Sequence, residues 1–284
     1  MPPATTIPGA EVSGAEAVIR IEGVGHAFGD ADDPRRVVAL ESTSFDIARG
    51  ELLALIGPSG CGKSTLLNII GGLAAPTMGR VTIDSLPVTG PSPKKVAFVF
   101  QDSTLFPWRT VIDNVKLGMA YQGVPKAEHD ARAYESLKAV GLSEFAEHYP
   151  AQLSGGMKQR AQLARALGLR TEILLMDEPF AALDEQTRMV LGEDLSVLLA
   201  RTGKTIVFVT HSLVEAVFLA DRVAVLTARP GKIKRIINVD EGHPRKSTFM
   251  TSAKLGALRN ELYDLLHDEI RQTMSLLGDA EPVA

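Results

Sequence analysis

The stretch GPSGCGKST, residues 57–65, constrains this chain more than any other. It follows an apolar run, ELLALIG, and leads directly into STLLNIIGGL, so a strand, a glycine turn and a helix are expected in that order. Every fixed position of G-x-x-x-x-G-K-[ST] is filled. Gly57, Gly60 and Gly62 let backbone amides approach phosphate oxygens without a Cβ in the way. Lys63 is expected to reach the β- and γ-phosphates of a nucleotide, and the Ser64 hydroxyl to ligate Mg2+. Pro58, Ser59, Cys61 and Thr65 complete the cradle. Cys61 occupies a variable position. Its place at a helix N-terminus would lower the thiol pKa and open it to alkylation, with bound nucleotide protecting it.

Around this loop, continuous apolar and period-2 segments alternate with helical ones, the pattern of an α/β domain with a mostly parallel sheet. Strands are expected at AVIRIEGV, VVALESTSFDI, ELLALIG, GRVTID and KKVAFVFQ. From residue 110 to 170 the pattern turns helical, and apolar strands return at EILLMDE, TIVFVTH and DRVAVLT. The chain therefore reads as an α/β core with an all-helical insertion. After a polar link, EGHPRKST, the tail places Leu255, Leu258, Leu262, Leu265, Leu266 and Ile270 on one face of a helix that packs on its own domain, with Gly278 as its stop.

The run ILLMDEP is four apolar residues followed by Asp177 and Glu178, as in a central strand covered on both faces. Neighbouring strand residues point to opposite faces, so the two carboxylates divide the labour. Asp177 serves Mg2+ through water, and Glu178 polarises an attacking water. Pro179 is expected to hold Glu178 extended. TIVFVTHS ends a further strand with His211, at the edge where ligands sit in open α/β sheets, and this makes His211 a γ-phosphate sensor that also orients Glu178.

Composition closes off other classes. With 30 Lys+Arg against 34 Asp+Glu, the net charge of −4 argues against a protein that coats nucleic acid. One cysteine in 284 residues excludes an internal disulfide and a Cys-rich metal framework. No apolar run approaches the ~20 residues that a spanning helix needs. Residues 1–17 lack a basic segment followed by an apolar one and read as a disordered leader, not a secretory signal.

A second glycine turn, LSGGMKQR from Leu153, also opens a basic helix. Taken with GPSGCGKST, Gln101 in FVFQD, ILLMDEP, AALD ending at Asp184 and THS, it gives an order and spacing that resemble the ATP-binding subunits of ABC transporters, over residues 18–239. The resemblance implies a P-loop ATPase core with an N-terminal antiparallel β subdomain and an all-helical insertion. The cassette would span residues 18–240, its helical subdomain about 102–165, and a helical extension 241–284.

It further implies a homodimer in which Ser154, Gly155, Gly156 and Met157 of one copy close over ATP held by Lys63 of the other. Two turns in one chain are then halves of different sites. Met157 stands where many relatives carry Gln, which removes a side-chain contact but not the backbone contacts of Gly155 and Gly156. Phe28 would stack on adenine, Gln101 would touch Mg2+ and sense the γ-phosphate, and Asp184 would work across the dimer. Apolar Phe106, Pro107 and Trp108 beside Arg109 suit a groove for a transmembrane permease, contacted through residues 101–108. FPWRTVIDNV and TARPGKI are similar to the nitrate/sulfonate/taurine importer branch, which implies a subunit on the cytoplasmic face of the membrane, beneath two permease subunits served by a separate solute-binding protein. The alternative is an ABC ATPase of nucleic-acid repair or translation. Only 91 positions separate Lys63 from Ser154 (154 − 63), which leaves no room for the long coiled coil of such proteins.

Overall fold

The strand that feeds the glycine turn, β3 (Leu52–Ile56), is buried at every position, as its unbroken apolar run requires. In a computed structural model, residues 16–30, 32–181, 192–193, 196–197 and 202–278 are described, with side chains as far as residue 271. The first fifteen residues of the expected leader and Asp184 lie outside the described residues. Two compact units form. One comprises residues 1–91, 209–241 and 248–284, and the other 92–208 and 242–247.

In the first unit, β1 (Ala17–Phe28) and β2 (Val37–Ala48) pair antiparallel, and β4 (Met78–Ile83) and β5 (Leu86–Pro87) extend the sheet to the order β2-β1-β4-β5. β3 pairs parallel with β9 (Arg222–Leu226), and β10 (Ile233–Asn238) returns antiparallel on β9. β10 has no counterpart among the strands expected from sequence. Beneath these strands Arg222 Nη1 donates to Glu51 Oε1 at 2.9 Å, a pair with both side chains nearly enclosed. Helix α1 (Lys63–Ile70) follows the loop and buries Leu66, Leu67, Ile69 and Ile70.

The C-terminal helix, Ala253–Gly278, packs on the short helix Leu213–Leu219 and on β9. Leu255 and Leu262 are buried and Leu258, Leu265 and Leu266 half-buried, but Ile270 is 42% exposed. The buried member of that last turn is the acid Glu269.

In the second unit the neighbouring strands run β8 (Thr205–Val209), β7 (Ile173–Asp177), β6 (Val96–Val99), the last two parallel. Its helices include α2 (Val111–Tyr121), α3 (Lys126–Ala139) and α4 (Gly155–Leu167), with α2 packed on both others. Thr110 and Ser154 cap α2 and α4 by accepting backbone N–H groups in the first turn. Fully buried Asn114 accepts from Phe106 N at 2.7 Å and donates to the Phe106, Arg109 and Thr110 carbonyls, so it fixes the segment that enters α2.

Candidate nucleotide site

The loop of residues 57–65 is shaped by its neighbours before any ligand arrives. Gly62 sits at the α1 N-cap with φ 99°, where a Cβ would lie 2.7 Å from Leu40 Cδ2 and 2.9 Å from the Ala39 carbonyl. Only glycine fits both the dihedral and the space. No side chain caps α1, so its first-turn N–H groups face outward as an anion site. Lys63 is buried, with Nζ donating to the Gly57 carbonyl at 2.8 Å and the Pro58 carbonyl at 2.9 Å. Ser59, Gly60 and the Ser64 hydroxyl lie at the surface, where a nucleotide and its metal can reach them.

Cys61 departs from the reactive thiol expected of it. It is 1% exposed, and burial pushes its pKa up despite the opposing pull of the Lys63 ammonium. Backbone N–H groups of Lys63 and Cys61 also pull it down, but burial outweighs them, so the helix start does not make this thiol reactive.

Elsewhere in this unit Phe28 is 53% exposed, its ring edge-on to His26 at 4.7 Å. It is therefore not a core aromatic, and it lies where a ligand can reach it. His211 is exposed just after β8. Its neighbour Thr210 anchors the strand end, with its N–H on the Leu55 carbonyl at 3.2 Å and its hydroxyl on Glu215 Oε2 at 2.9 Å.

The second unit gathers the carboxylates. β7 ends at Asp177, and Glu178 has φ 47°, in the left-handed region rather than the extended one expected from Pro179. The proline ring closes the right-handed helical region to its predecessor. The chain then turns at once, with Ala181 N–H on the Glu178 carbonyl at 3.2 Å, so the extended alternative is also lost. The backbone therefore turns at Glu178 instead of carrying the strand's pleat past Asp177. Left-handed backbone at a non-glycine residue costs roughly 1–3 kcal/mol and concentrates where function over-determines the geometry.

Gln101 Nε2 donates to Glu178 Oε2 at 3.1 Å, so the two residues meet although 77 positions separate them. This leaves the Gln101 amide oxygen for another partner. Gln159, on the helix that Ser154 begins, sends Nε2 toward the Glu178 carbonyl at 3.5 Å. Ser154 and Gly155 are exposed, and the Ser154 hydroxyl accepts from Met157 N at 3.3 Å.

Sequence reading missed three more residues here. Gln162 Oε1 accepts from Thr104 N (3.1 Å) and Thr104 Oγ1 (2.9 Å), and Arg165 Nη1 donates to the Thr104 carbonyl at 2.9 Å. Gln159, Gln162 and Arg165 recur every third residue along α4, the one trace of this in the sequence. The loop that begins at Gln101 is thereby tied to the Ser154 helix. At its far end Trp108 is 71% exposed, against the usual place of a lone Trp as a core anchor.

A glycine-Lys-Ser loop opening a helix, a strand-end Asp-Glu pair and a capped LSGG helix together define an ATP-binding cassette. The family model described as ABC transporter matches residues 40–181, and the chain belongs to that family. It is 48% identical over 239 residues to an uncharacterized ABC transporter ATP-binding protein of Methanocaldococcus jannaschii, covering 84% of this chain and 88% of that one. It is 44% identical over 240 residues to a taurine import ATP-binding protein of Rhizobium johnstonii, covering 82% and 90%. Among solved structures, a dimeric ATP-binding cassette in a post-hydrolysis state, bound to ADP and Pi, matches with a TM-score of 0.71 at 34% identity, over 79% of this chain and all of that one. The protein is accordingly an ATP-binding, ATP-hydrolysing transporter subunit. Among the described residues no helix is long and apolar enough to cross a membrane.

Proposed function

We propose that this chain powers an importer for a small solute of the nitrate, sulfonate or taurine kind. It would work as a homodimer with ATP at the interface, on the cytoplasmic face of the membrane beneath two permease subunits, with a separate solute-binding protein delivering the cargo. The exposed Trp108, at the end of a loop that starts at Gln101, carries the membrane half of this reading. An apolar ring held out by the fully satisfied Asn114 suits a partner surface better than solvent. The 44% identity to a taurine import subunit supports the choice of cargo class.

In this reading Phe28 stacks on adenine, and the loop N–H groups of Gly57, Ser59, Gly60, Cys61, Gly62 and Thr65 surround the phosphates, with Pro58 shaping the turn. The Lys63 ammonium exchanges its loop carbonyls for β- and γ-phosphate oxygens. Ser64, Gln101 and Asp177 offer only oxygen donors, the set that suits Mg2+, and the free amide oxygen of Gln101 adds to that fit. Bound by these residues, Mg2+ would supply positive charge to offset that of the phosphates. Glu178 polarises the attacking water, positioned by Gln101 and by its own strained backbone. His211 contacts the γ-phosphate. Ser154, Gly155, Gly156 and Met157 of the second copy close over the nucleotide, and Asp184 acts across the interface.

The test is affinity purification of the tagged chain from detergent-solubilised membranes of its native host. A stoichiometric multi-span partner is expected, and Trp108→Ala should reduce its recovery. Recovery of soluble ribosomal or DNA-bound partners alone would overturn the transport reading and leave the ATPase standing.

A further inference from the structure

The turn between β9 and β10, TARPGK, lies against the phosphate loop on one side and the C-terminal helix on the other. Arg229 Nε donates to the Gly60 carbonyl at 3.0 Å, and its Nη2 sits 2.9 Å from where a Cβ on Gly60 would be. Two residues on, Gly231 touches the loop's next peptide, and a Cβ there would fall 1.8 Å from the Cys61 carbonyl oxygen. Gly231 is pinned by its N–H to the Ala39 carbonyl at 2.9 Å and by its carbonyl, which accepts from Glu41 N at 2.9 Å. Behind the turn, Glu269 of the C-terminal helix is 5% exposed. Its Oε2 accepts from Ala228 N at 2.8 Å and its Oε1 from Lys234 Nζ at 2.8 Å. Lys234 Nζ also donates to the Leu265 carbonyl at 3.0 Å, and Arg235 pairs with Glu261 at 3.2 Å.

A buried carboxylate gripping the residue before Arg229 is a connection that packing alone does not require. The cost of burying Glu269 is met by the Ala228 N–H and the Lys234 ammonium, so removing either partner shifts the turn. The exposed Gly60 has φ 73° and no side chain to hold it, so the Arg229 bond is what defines its carbonyl direction.

We infer that Arg229 is a positioning residue for the nucleotide's phosphate loop, and that the C-terminal helix sets its place through Glu269. This rests on the reading of residues 57–65 as the ATP site. The helix therefore does more than cover the core. It acts on nucleotide affinity through one contact chain, Glu269 to Ala228, Arg229 and Gly60.

The experiment measures Mg-ATP binding by calorimetry, and KM and kcat for hydrolysis, on the full chain carrying Arg229→Ala, Glu269→Ala, both, or Lys63→Ala. Arg229→Ala should raise Kd and KM about fivefold, the scale of one exposed charged hydrogen bond, and leave kcat at saturating ATP within about twofold. Glu269→Ala should weaken binding in the same direction, and the double variant should be no worse than the weaker single one, because both act through one contact. Nucleotide-free Arg229→Ala should melt like the wild type. If Glu269→Ala melts early, the Arg229→Ala split of KM from kcat still decides. Wild-type affinity in Arg229→Ala, with binding lost in Lys63→Ala, would overturn the inference and spare the ATP site. A wild-type chain that binds no Mg-ATP would overturn the functional reading on which it stands. Strictly additive losses in the double variant would remove the Glu269 link.

Discussion

Two glycine turns each open a helix in this protein, and they are built differently. The loop of residues 57–65 is locked from outside. Leu40 and Ala39 crowd Gly62, Arg229 grips Gly60, and Lys63 folds onto the loop's own carbonyls. The turn before α4 is an ordinary capped helix start, exposed at Ser154 and Gly155, where Met157 N donates to the Ser154 hydroxyl. The first turn leaves its helix uncapped and spends its polar groups on shaping a cradle. The second caps its helix and keeps Gly155 on the surface. A preformed cradle binds phosphate by itself, whereas a capped, exposed end adds to a site only when another surface brings the ligand to it. The difference fits the proposal that one copy holds ATP and the other covers it.

The largest effect expected is at Glu178, whose product-forming step would separate the two turns again. Glu178→Gln should cut hydrolysis by about 10²–10⁴-fold, retain ATP binding and accumulate a dimer on gel filtration with Mg-ATP. Wild-type phosphate release in that variant would remove Glu178 from the base role. Next comes Lys63→Ala, which should weaken Mg-ATP binding by about tenfold to a hundredfold in calorimetry, the loss of a charged hydrogen bond. Affinity close to wild type would show that the locked loop is no cradle.

Ser154→Ala sharpens the contrast further. It should leave nucleotide binding by the single chain unchanged and abolish ATP-dependent dimerisation, while the lost cap lowers stability by about 1 kcal/mol. Dimerisation that survives would break the assignment of the second turn. The smallest effect concerns Cys61. Because its pKa is raised, the thiolate is scarce at neutral pH and alkylation should speed up only as pH climbs past the ordinary thiol range. Native alkylation should be on the order of tenfold or more slower than in denaturant, with or without nucleotide. Fast labelling at neutral pH that ATP prevents would restore the exposed thiol.

Much of this was legible in the chain. Unbroken apolar runs gave β3, β7, β8 and β9, because a strand covered on both faces leaves no room for polar residues. The loop motif named Lys63 and Ser64, since its chemistry is local and glycine is needed at fixed spacing. The strand-end pair named Asp177 and Glu178 for the same reason. What the sequence could not supply was whatever depends on residues far apart. The left-handed Glu178 follows from a turn that Pro179 alone does not foretell, and its hold on Gln101 spans 77 positions. The depth of Cys61 was decided by packing that includes Gly231, far along the chain, and its burial reversed the helix-end argument. Composition beside Trp108 suggested a contact surface, but that its ring lies outside was settled by packing, in which Asn114 fixes the segment. Glu269 carried no signal, and TARPGKI marked Arg229 only as part of a family likeness, since 169 positions separate it from Gly60. Local spacing determines which chemistry a segment can perform. Only long-range packing decides which backbone angle, which exposure and which distant partner that chemistry receives.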